Sequence, residues 1–182
     1  TILGDKAQTI AGKQQDVLTF LPKIFGKKVK RIVMNKSYRN TSEIAEYAKS
    51  VGGSKDIQYV ARHGKAVERH AIKTLEKTCK EISEKLKLRE EEYETAAILT
   101  MTEKEAEHIQ EIMHKLGAEA YYINRDSAQF KKGLTVTTYY LAKGLEFDQV
   151  FIVGGDRNNK MYQGYQYICA TRALHELYVY DA

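Results

Sequence analysis

Short apolar runs alternate with amphipathic stretches along most of the chain. The clearest run is Gln149–Val153, which is apolar on both faces, as a central strand of a parallel sheet is. The remaining runs predict further strands at Val29–Met34, Ile57–Ala61, Ala96–Met101, Ala120–Ile123, Leu134–Thr138 and Leu177–Tyr180. The pattern therefore predicts a sheet whose strands are separated by helices.

Two helices are predicted in the first half of the chain. Ser42–Ser50 has helical character, and Asn40 with Glu43 three residues later suits a reciprocal capping arrangement at its start. Lys65–Leu88 repeats apolar residues every three to four positions with lysines and glutamates between them, which predicts one long amphipathic helix.

Two more helices are predicted in the second half. Thr102 with Glu105 forms a second capping box, before a helix that Gly117 ends, and Lys160–Leu174 is the last helix. Strands that alternate with helices, in a chain with a single proline, predict an α/β fold: a largely parallel sheet with helices on both faces.

Composition narrows the class of protein. A chain of 182 residues suits one compact domain, and its net charge of +5 fits a polyanionic partner or equally a solvated lysine-rich surface. Cys79 and Cys169 form neither a disulfide framework nor a metal-binding pair, and no apolar run reaches the roughly 18 residues of a membrane span. We expect a cytoplasmic protein with no membrane partner.

Two arginines and one pentapeptide are the candidates for chemistry. Ligands of open parallel sheets bind at the carboxyl ends of strands, so residues that follow strands are candidates. Arg39 follows a predicted strand and Arg172 lies late in a predicted helix; guanidinium groups suit phosphate oxygens, although internal salt bridges are the alternative. Lys143–Phe147 combines a cation, a flexible glycine and a carboxylate, a pattern also typical of a simple turn.

Four segments, taken together, carry a family resemblance. GDKAQTI at 4–10, SYRNTSEI at 37–44, TTYYLAKGLEFDQVFI at 137–152 and YICATRALHEL at 167–177 resemble, in this order, motifs III to VI of UvrD/Rep-like superfamily-1 DNA helicases. The resemblance implies that residues 21–182 form the second RecA-like motor domain and that residues 1–20 are a remnant of the first with a linker. It also implies an ATP-dependent DNA helicase.

The same resemblance implies roles for five residues in the ATP site. Gln8 would sense the γ-phosphate, and Arg39 and Arg172 would bind it. Gly144 would lie close to the nucleotide, and Glu146 would accept a hydrogen bond from a ribose hydroxyl. ATP in this family binds between the two motor domains.

Two further positions match residues near DNA in that family. Thr138 and Tyr140 correspond to positions beside single-stranded DNA, so single-stranded or tailed duplex DNA is the expected partner. The family often has histidine where this chain has Tyr140, and a tyrosine ring can stack on a base.

Parts of an ATP site are missing from the sequence. No segment matches the G-x-x-x-x-G-K-[ST] loop that cradles phosphates, and the acidic pair expected before motif III is absent too. We therefore expect ATP with Mg²⁺ to be bound mainly by the first RecA-like domain of the same parent chain, and residues 1–182 alone to be inactive. The five histidines show no convergent spacing, so no metal site is predicted.

Two alternatives to a DNA helicase remain. Only about a dozen residues lie between the strand at Tyr121–Asn124 and Thr137, where the best-known members insert a large accessory domain. In that respect the chain resembles the helicase IV-like branch, which includes a motor acting on RNA polymerase, so an ATP-driven factor that remodels or recycles RNA polymerase is one alternative. A non-catalytic nucleic-acid-binding domain is the alternative from another class.

Overall fold

Within the part of the chain that the structure describes, six parallel strands form the main sheet. The computed structural model describes residues 17–26, 30, 32–34, 36–52, 57–127 and 131–181. In chain order the elements are α1 (Val17–Phe25), β1 (Lys36–Ser37), α2 (Ser42–Val51), β2 (Gln58–Tyr59), β3 (Glu68–Ala71), α3 (Leu75–Lys87), β4 (Thr95–Thr100), α4 (Glu103–Lys115), β5 (Ala120–Tyr122), β6 (Gly133–Thr138), β7 (Phe147–Val153), α5 (Tyr162–Ala170) and β8 (Ala173–Asp181).

The sheet has the strand order β3-β8-β7-β4-β6-β5, and every neighbouring pair is parallel. β1 and β2 form a separate parallel pair. The predicted α/β class with a largely parallel sheet is confirmed. Among the described residues, no helix is both long enough and apolar enough to cross a membrane.

Helices cover both faces of the sheet, as predicted. Ile44 of α2 and Ile168 of α5 pack in one core cluster with Ile152 of β7. Ile109 of α4 belongs to a second cluster that contains Phe151. Phe151 and Ile152 are adjacent and both fully buried, since successive side chains of a strand point to opposite faces.

The prediction of one helix over Lys65–Leu88 is wrong in its first half. Residues 68–71 form β3, which pairs with β8, and α3 begins only after Thr74, whose side chain accepts a hydrogen bond from the backbone N–H of Lys77. β3 carries charged and polar side chains rather than alternating apolar ones. Its strand conformation comes from pairing with the edge of β8, which local periodicity does not reveal.

The predicted cap of α2 is also displaced. The side chain of Thr41, not Asn40, caps the helix by accepting a hydrogen bond from the backbone N–H of Ile44. Asn40 is buried, and its Nδ2 donates to the carbonyl oxygen of Ala173 at 2.6 Å. Because that distant carbonyl binds the amide, the capping role passes to the next residue.

The second capping box is confirmed. Thr102 accepts a hydrogen bond from the backbone N–H of Glu105, whose carboxylate in turn accepts one from the backbone N–H of Thr102. α4 ends at Lys115, and Gly117 follows with φ +74°, as predicted for the residue that ends this helix.

Two other element boundaries differ from the predictions. The described residues of Val29–Met34 lie outside any strand, and β1 comes later, at Lys36–Ser37. The predicted helix Lys160–Leu174 shortens to α5, which ends at Ala170. Arg172 therefore lies in the turn between α5 and β8, directly before a strand.

Candidate functional site

The predicted site residues lie at opposite ends of the strands: some at the amino ends, called here the amino edge of the sheet, and others at the carboxyl ends, called the carboxyl edge. Glu146 directly precedes β7 and Arg172 directly precedes β8, so both lie at the amino ends of central strands. Thr138 is the last residue of β6, at the carboxyl end. The expectation that the candidate residues lie at the carboxyl ends of strands is therefore wrong for Glu146 and Arg172. Each of them ends a connection that returns from the carboxyl end of one strand to the amino end of the next.

Arg39 and Glu146 form an ion pair at the amino edge. Nη2 of Arg39 lies 2.6 Å from Oε1 of Glu146, and the two side chains are 43% and 40% exposed. Ion pairs this exposed contribute about 0–1 kcal/mol, so a ligand with several negative charges can displace the carboxylate from the guanidinium.

Arg172 is held much more rigidly than Arg39. It is 2% exposed, and its guanidinium donates to three oxygen atoms within the protein. These are the carbonyl of Ile168 at 3.2 Å, the carbonyl of Leu145 at 3.3 Å and Oγ1 of Thr171 at 3.1 Å. Burial lowers the pKa of Arg172, and the neighbouring charge of Arg39 lowers it further. Arginine nevertheless stays protonated in proteins, so this is a fixed buried cation.

These residues bring two cations and one carboxylate to the same place. The charge of Glu146 favours the charged form of Arg172, while it pairs directly with Arg39. One carboxylate therefore serves two guanidinium groups, which leaves an excess of positive charge. Such a donor set is suited to phosphate oxygens.

Gly144 lies in the turn that leads to Glu146. Its φ of +94° is in the left-handed region that side chains other than glycine rarely adopt. A Cβ at this position would meet no atom within 4 Å among the described residues, so backbone conformation rather than crowding within the chain requires glycine.

Thr138 and Tyr140 lie near the carboxyl edge, away from the arginines. Thr138 is fully buried, and among the described residues its Oγ1 has no hydrogen-bond partner. The hydroxyl of Tyr140 donates to Oε1 of Glu103, and its ring packs edge-on against Tyr139 with the centroids 5.5 Å apart. Of the two predicted DNA contacts, only the half-buried Tyr140 presents side-chain surface in this arrangement.

Gln8 lies outside the described residues, as does the whole segment that resembles motif III. Within the described ranges, no three histidine, cysteine, aspartate or glutamate side chains are grouped so that they could hold a metal ion.

Arg62 is a supporting residue that the sequence patterns missed. Its Nη2 donates to the carbonyl oxygen of Arg39 at 2.6 Å and also to the carbonyl oxygen of Leu174. No spacing rule links these three positions, so only the folded chain reveals the contact.

Comparison with solved structures identifies the fold. The chain is similar to a structure described as the C-terminal domain of a possible DNA helicase from Lactobacillus plantarum WCFS1, with a TM-score of 0.66 and 23% sequence identity over 80% of this chain and 88% of that one. The chain has a RecA-like fold. That confirms the predicted fold class, and at this level of identity the likeness concerns the fold alone.

A second solved structure, the Pyrococcus furiosus Hef helicase domain, is less similar. It shares 15% identity over 59% of this chain and 24% of that one, and its TM-score of 0.42 is too low to support an argument. No family model matches the chain, and no curated protein does.

Proposed function

We propose that this chain is the C-terminal motor domain of an ATP-dependent DNA helicase or translocase. In this proposal it supplies the arginine-bearing half of an ATP site that lies between two RecA-like domains. The observation that carries the proposal is the convergence of Arg39, Glu146 and Arg172 at the amino ends of β7 and β8.

The two arginines suit different parts of the ATPase cycle. Arg172 is fixed by its three hydrogen bonds, so it is preorganised to stabilise charge that develops on a transferred phosphoryl group. Arg39 is half-exposed and paired with Glu146, so it is able to turn towards a phosphate when ATP binds. Glu146, once released, is free to accept a hydrogen bond from the ribose, and Gly144 leaves room beside it.

The donor set fits the phosphates of ATP but not the complete ATP·Mg²⁺ complex. The sequence has no G-x-x-x-x-G-K-[ST] loop. We propose that the phosphate loop and the carboxylates that bind Mg²⁺ belong to the first RecA-like domain of the parent protein, with Gln8 linking the γ-phosphate to the DNA track.

Single-stranded or tailed duplex DNA is the proposed nucleic-acid partner. Tyr140 is the residue at the carboxyl edge whose ring suits stacking on a base. Thr138 would contribute through its backbone or after a rearrangement, because its side chain is fully buried.

The direct test is the longer protein that contains this chain, with Arg172→Ala. We expect its DNA-stimulated ATPase to fall by about 1000-fold, the scale of losing an arginine that stabilises a phosphoryl transition state. Arg157→Gln is a matched control, because Arg157 pairs with Asp181, which keeps Arg69 as a second partner. Wild-type turnover by Arg172→Ala would refute the proposed role.

The isolated chain provides a second test. Residues 1–182 are expected to show no ATP turnover and only weak, salt-sensitive DNA binding, because the proposed phosphate loop is not among them. Robust turnover by purified 1–182 would overturn the division of the ATP site between two domains.

A second candidate function is remodelling of RNA polymerase. The observation that favours it is the short connection from β5, which ends at Tyr122, to β6, which begins at Gly133, with no accessory domain between them. Co-purification with RNA polymerase, together with failure to unwind a tailed duplex, would support it over a DNA helicase. A non-catalytic nucleic-acid-binding domain would instead be indicated if the parent reading frame encodes no GK[ST] loop.

A further inference from the structure

The segment Arg62–Gly64, which has no part in the proposed ATP chemistry, is fastened to the start of α2. The backbone N–H of Ser42 donates to the carbonyl oxygen of Arg62 at 2.8 Å. Both carboxylate oxygens of Glu43 bind the segment, one to Nδ1 of His63 at 3.0 Å and one to the backbone N–H of Gly64 at 2.9 Å. The segment is thus fixed to the first turn of the helix that follows Arg39.

The side chain of Arg62 then connects two segments that are distant in sequence, the loop that contains Arg39 and the start of β8. Through Nη2 it donates to the carbonyl oxygen of Arg39 and to that of Leu174. The first carbonyl belongs to one of the proposed phosphate-binding residues, and the second lies two positions after Arg172. One guanidinium therefore binds the backbone next to both arginines, at Arg39 itself and at the start of β8, two positions after Arg172.

A second side chain makes a parallel connection. Nδ2 of the buried Asn40 donates to the carbonyl oxygen of Ala173 at 2.6 Å. The residue after Arg39 is thus tied to the residue after Arg172. With Arg62, this gives two side-chain bridges between the Arg39 loop and the start of β8, one exposed and one buried.

We infer that Arg62 is a positioning residue, which sets the separation and orientation of Arg39 and Arg172 at the proposed ATP site. This inference rests on the proposed function. Arg172 is fixed mainly by its own turn, through Ile168 and Thr171, whereas Arg39 is half-exposed. The backbone position of Arg39 relative to Arg172 therefore depends on the bridges, and small misplacements of groups that act on a transition state reduce rates steeply.

The chemistry of the bridge defines the variants that test it. A guanidinium presents several N–H donors in a plane and keeps its charge, and hydrogen bonds to charged donors are the stronger kind. Arg62→Gln removes the charge and shortens the reach. Arg62→Lys keeps the charge and several N–H donors but lacks the planar fork, so it should keep part of the positioning that Arg62 provides.

The decisive readout is steady-state ATPase in the longer protein that contains this chain. For Arg62→Gln we expect kcat to fall by about ten- to a hundredfold while KM for ATP changes by less than about threefold, because positioning acts on the transition state more than on ground-state binding. The kcat of Arg62→Lys should lie between that of the wild type and that of Arg62→Gln. Arg157→Gln is the matched arginine control and should keep wild-type kcat.

A second readout uses the chain by itself and does not depend on ATPase. Amide hydrogen exchange of residues 1–182 should be faster in Arg62→Gln at Ser42 and at Phe147, whose N–H groups donate to the carbonyls of Arg62 and Arg172. Amides of α4, which packs on the opposite face of the sheet from α2, should exchange in Arg62→Gln as they do in the wild type. In Arg157→Gln, the amides of Ser42, Phe147 and α4 should all exchange as in the wild type.

The outcomes separate this inference from the proposed function. If Arg172→Ala abolishes turnover but Arg62→Gln keeps wild-type kcat, the positioning role is wrong and the proposed function stands. If Arg172→Ala also turns over normally, both fail. A loss of kcat in Arg62→Gln that equals its loss of folded protein, with exchange accelerated throughout the chain, would reduce Arg62 to a stabilising residue and overturn the inference.

Discussion

Gly64→Ala tests the close contact between the Arg62–Gly64 segment and α2. A Cβ on Gly64 would lie 2.6 Å from Cγ2 of Thr41 and 3.1 Å from its Cβ. The contact is crowded because Thr41 is 2% exposed, and the N–H of Gly64 is held by Glu43. The φ of Gly64 is not positive, so the effect of alanine is steric rather than conformational.

The expected cost combines opposing contributions. Overpacking costs about 1–3 kcal/mol, towards the lower end here because Gly64 is exposed and is crowded only by Thr41. Alanine recovers about 0.4–1 kcal/mol by restricting the unfolded chain. If Thr41 rotates to avoid the new methyl, its Oγ1 leaves the N–H of Ile44, and a lost cap costs about 1 kcal/mol. Gly64→Ala should therefore lower the free energy of unfolding by about 1–2 kcal/mol.

The assay is urea unfolding of four proteins: the wild type, Gly64→Ala, Thr41→Ser and the double variant. Thr41→Ser removes the clashing Cγ2 and keeps the capping oxygen and the 3.1 Å contact with Cβ, so Gly64→Ala should cost less in that background than in the wild type. The coupling energy of the cycle should be about 1 kcal/mol or more, with unchanged m values. An equal cost of Gly64→Ala in both backgrounds, or no cost in the wild type, would refute the steric explanation.

Three further predictions concern the cap, the acid stability and the thiols. Thr102→Ala should lower the free energy of unfolding by about 1 kcal/mol in the same urea assay, and a neutral effect would count against the capping box. The hydrogen bond with His63, followed by backbone N–H donors, lowers the pKa of Glu43 to about 2 from 4.5. Because the pKa of Glu43 is lower in the folded than in the unfolded chain, this stabilisation is complete above about pH 4.5 and is lost as the pH falls towards 2. Glu43→Gln should therefore flatten the acidic part of a curve of Tm against pH. An unaltered curve would contradict this role of Glu43. Burial raises the pKa of the Cys79 thiol to about 12 and that of Cys169 well above its usual value, so a thiol reagent at pH 7 should label neither until urea unfolds the chain.

Local patterns predicted the central elements of the fold correctly. Gln149–Val153 lies within β7, and the predicted strand Ala96–Met101 matches β4 except for its last residue, because buried strands of a parallel sheet are apolar on both faces. The box formed by Thr102 and Glu105 was predictable because both partners lie within one turn of helix.

Elements at the margin of the sheet were less predictable. β3 is polar: Glu68 pairs with Lys65 and Lys85, and His70 stacks on Tyr180. Its residue pattern therefore resembles the first turns of an amphipathic helix, and only its pairing with β8 shows that it is a strand. Pairing with a neighbouring strand, not side-chain pattern, decides such a strand.

The amino-acid sequence by itself determined the alternation of strands and helices and the candidate arginines, because these depend on residue types at short spacings. Only the tertiary structure decided that Arg39, Glu146 and Arg172 meet at the amino ends of β7 and β8, and that Asn40 binds Ala173 instead of capping α2. The physical reason is that these contacts join residues far apart in the chain. A hydrogen bond to a distant carbonyl, such as that of Asn40 to Ala173, cannot be predicted from local periodicity, yet it determines which side chain caps α2.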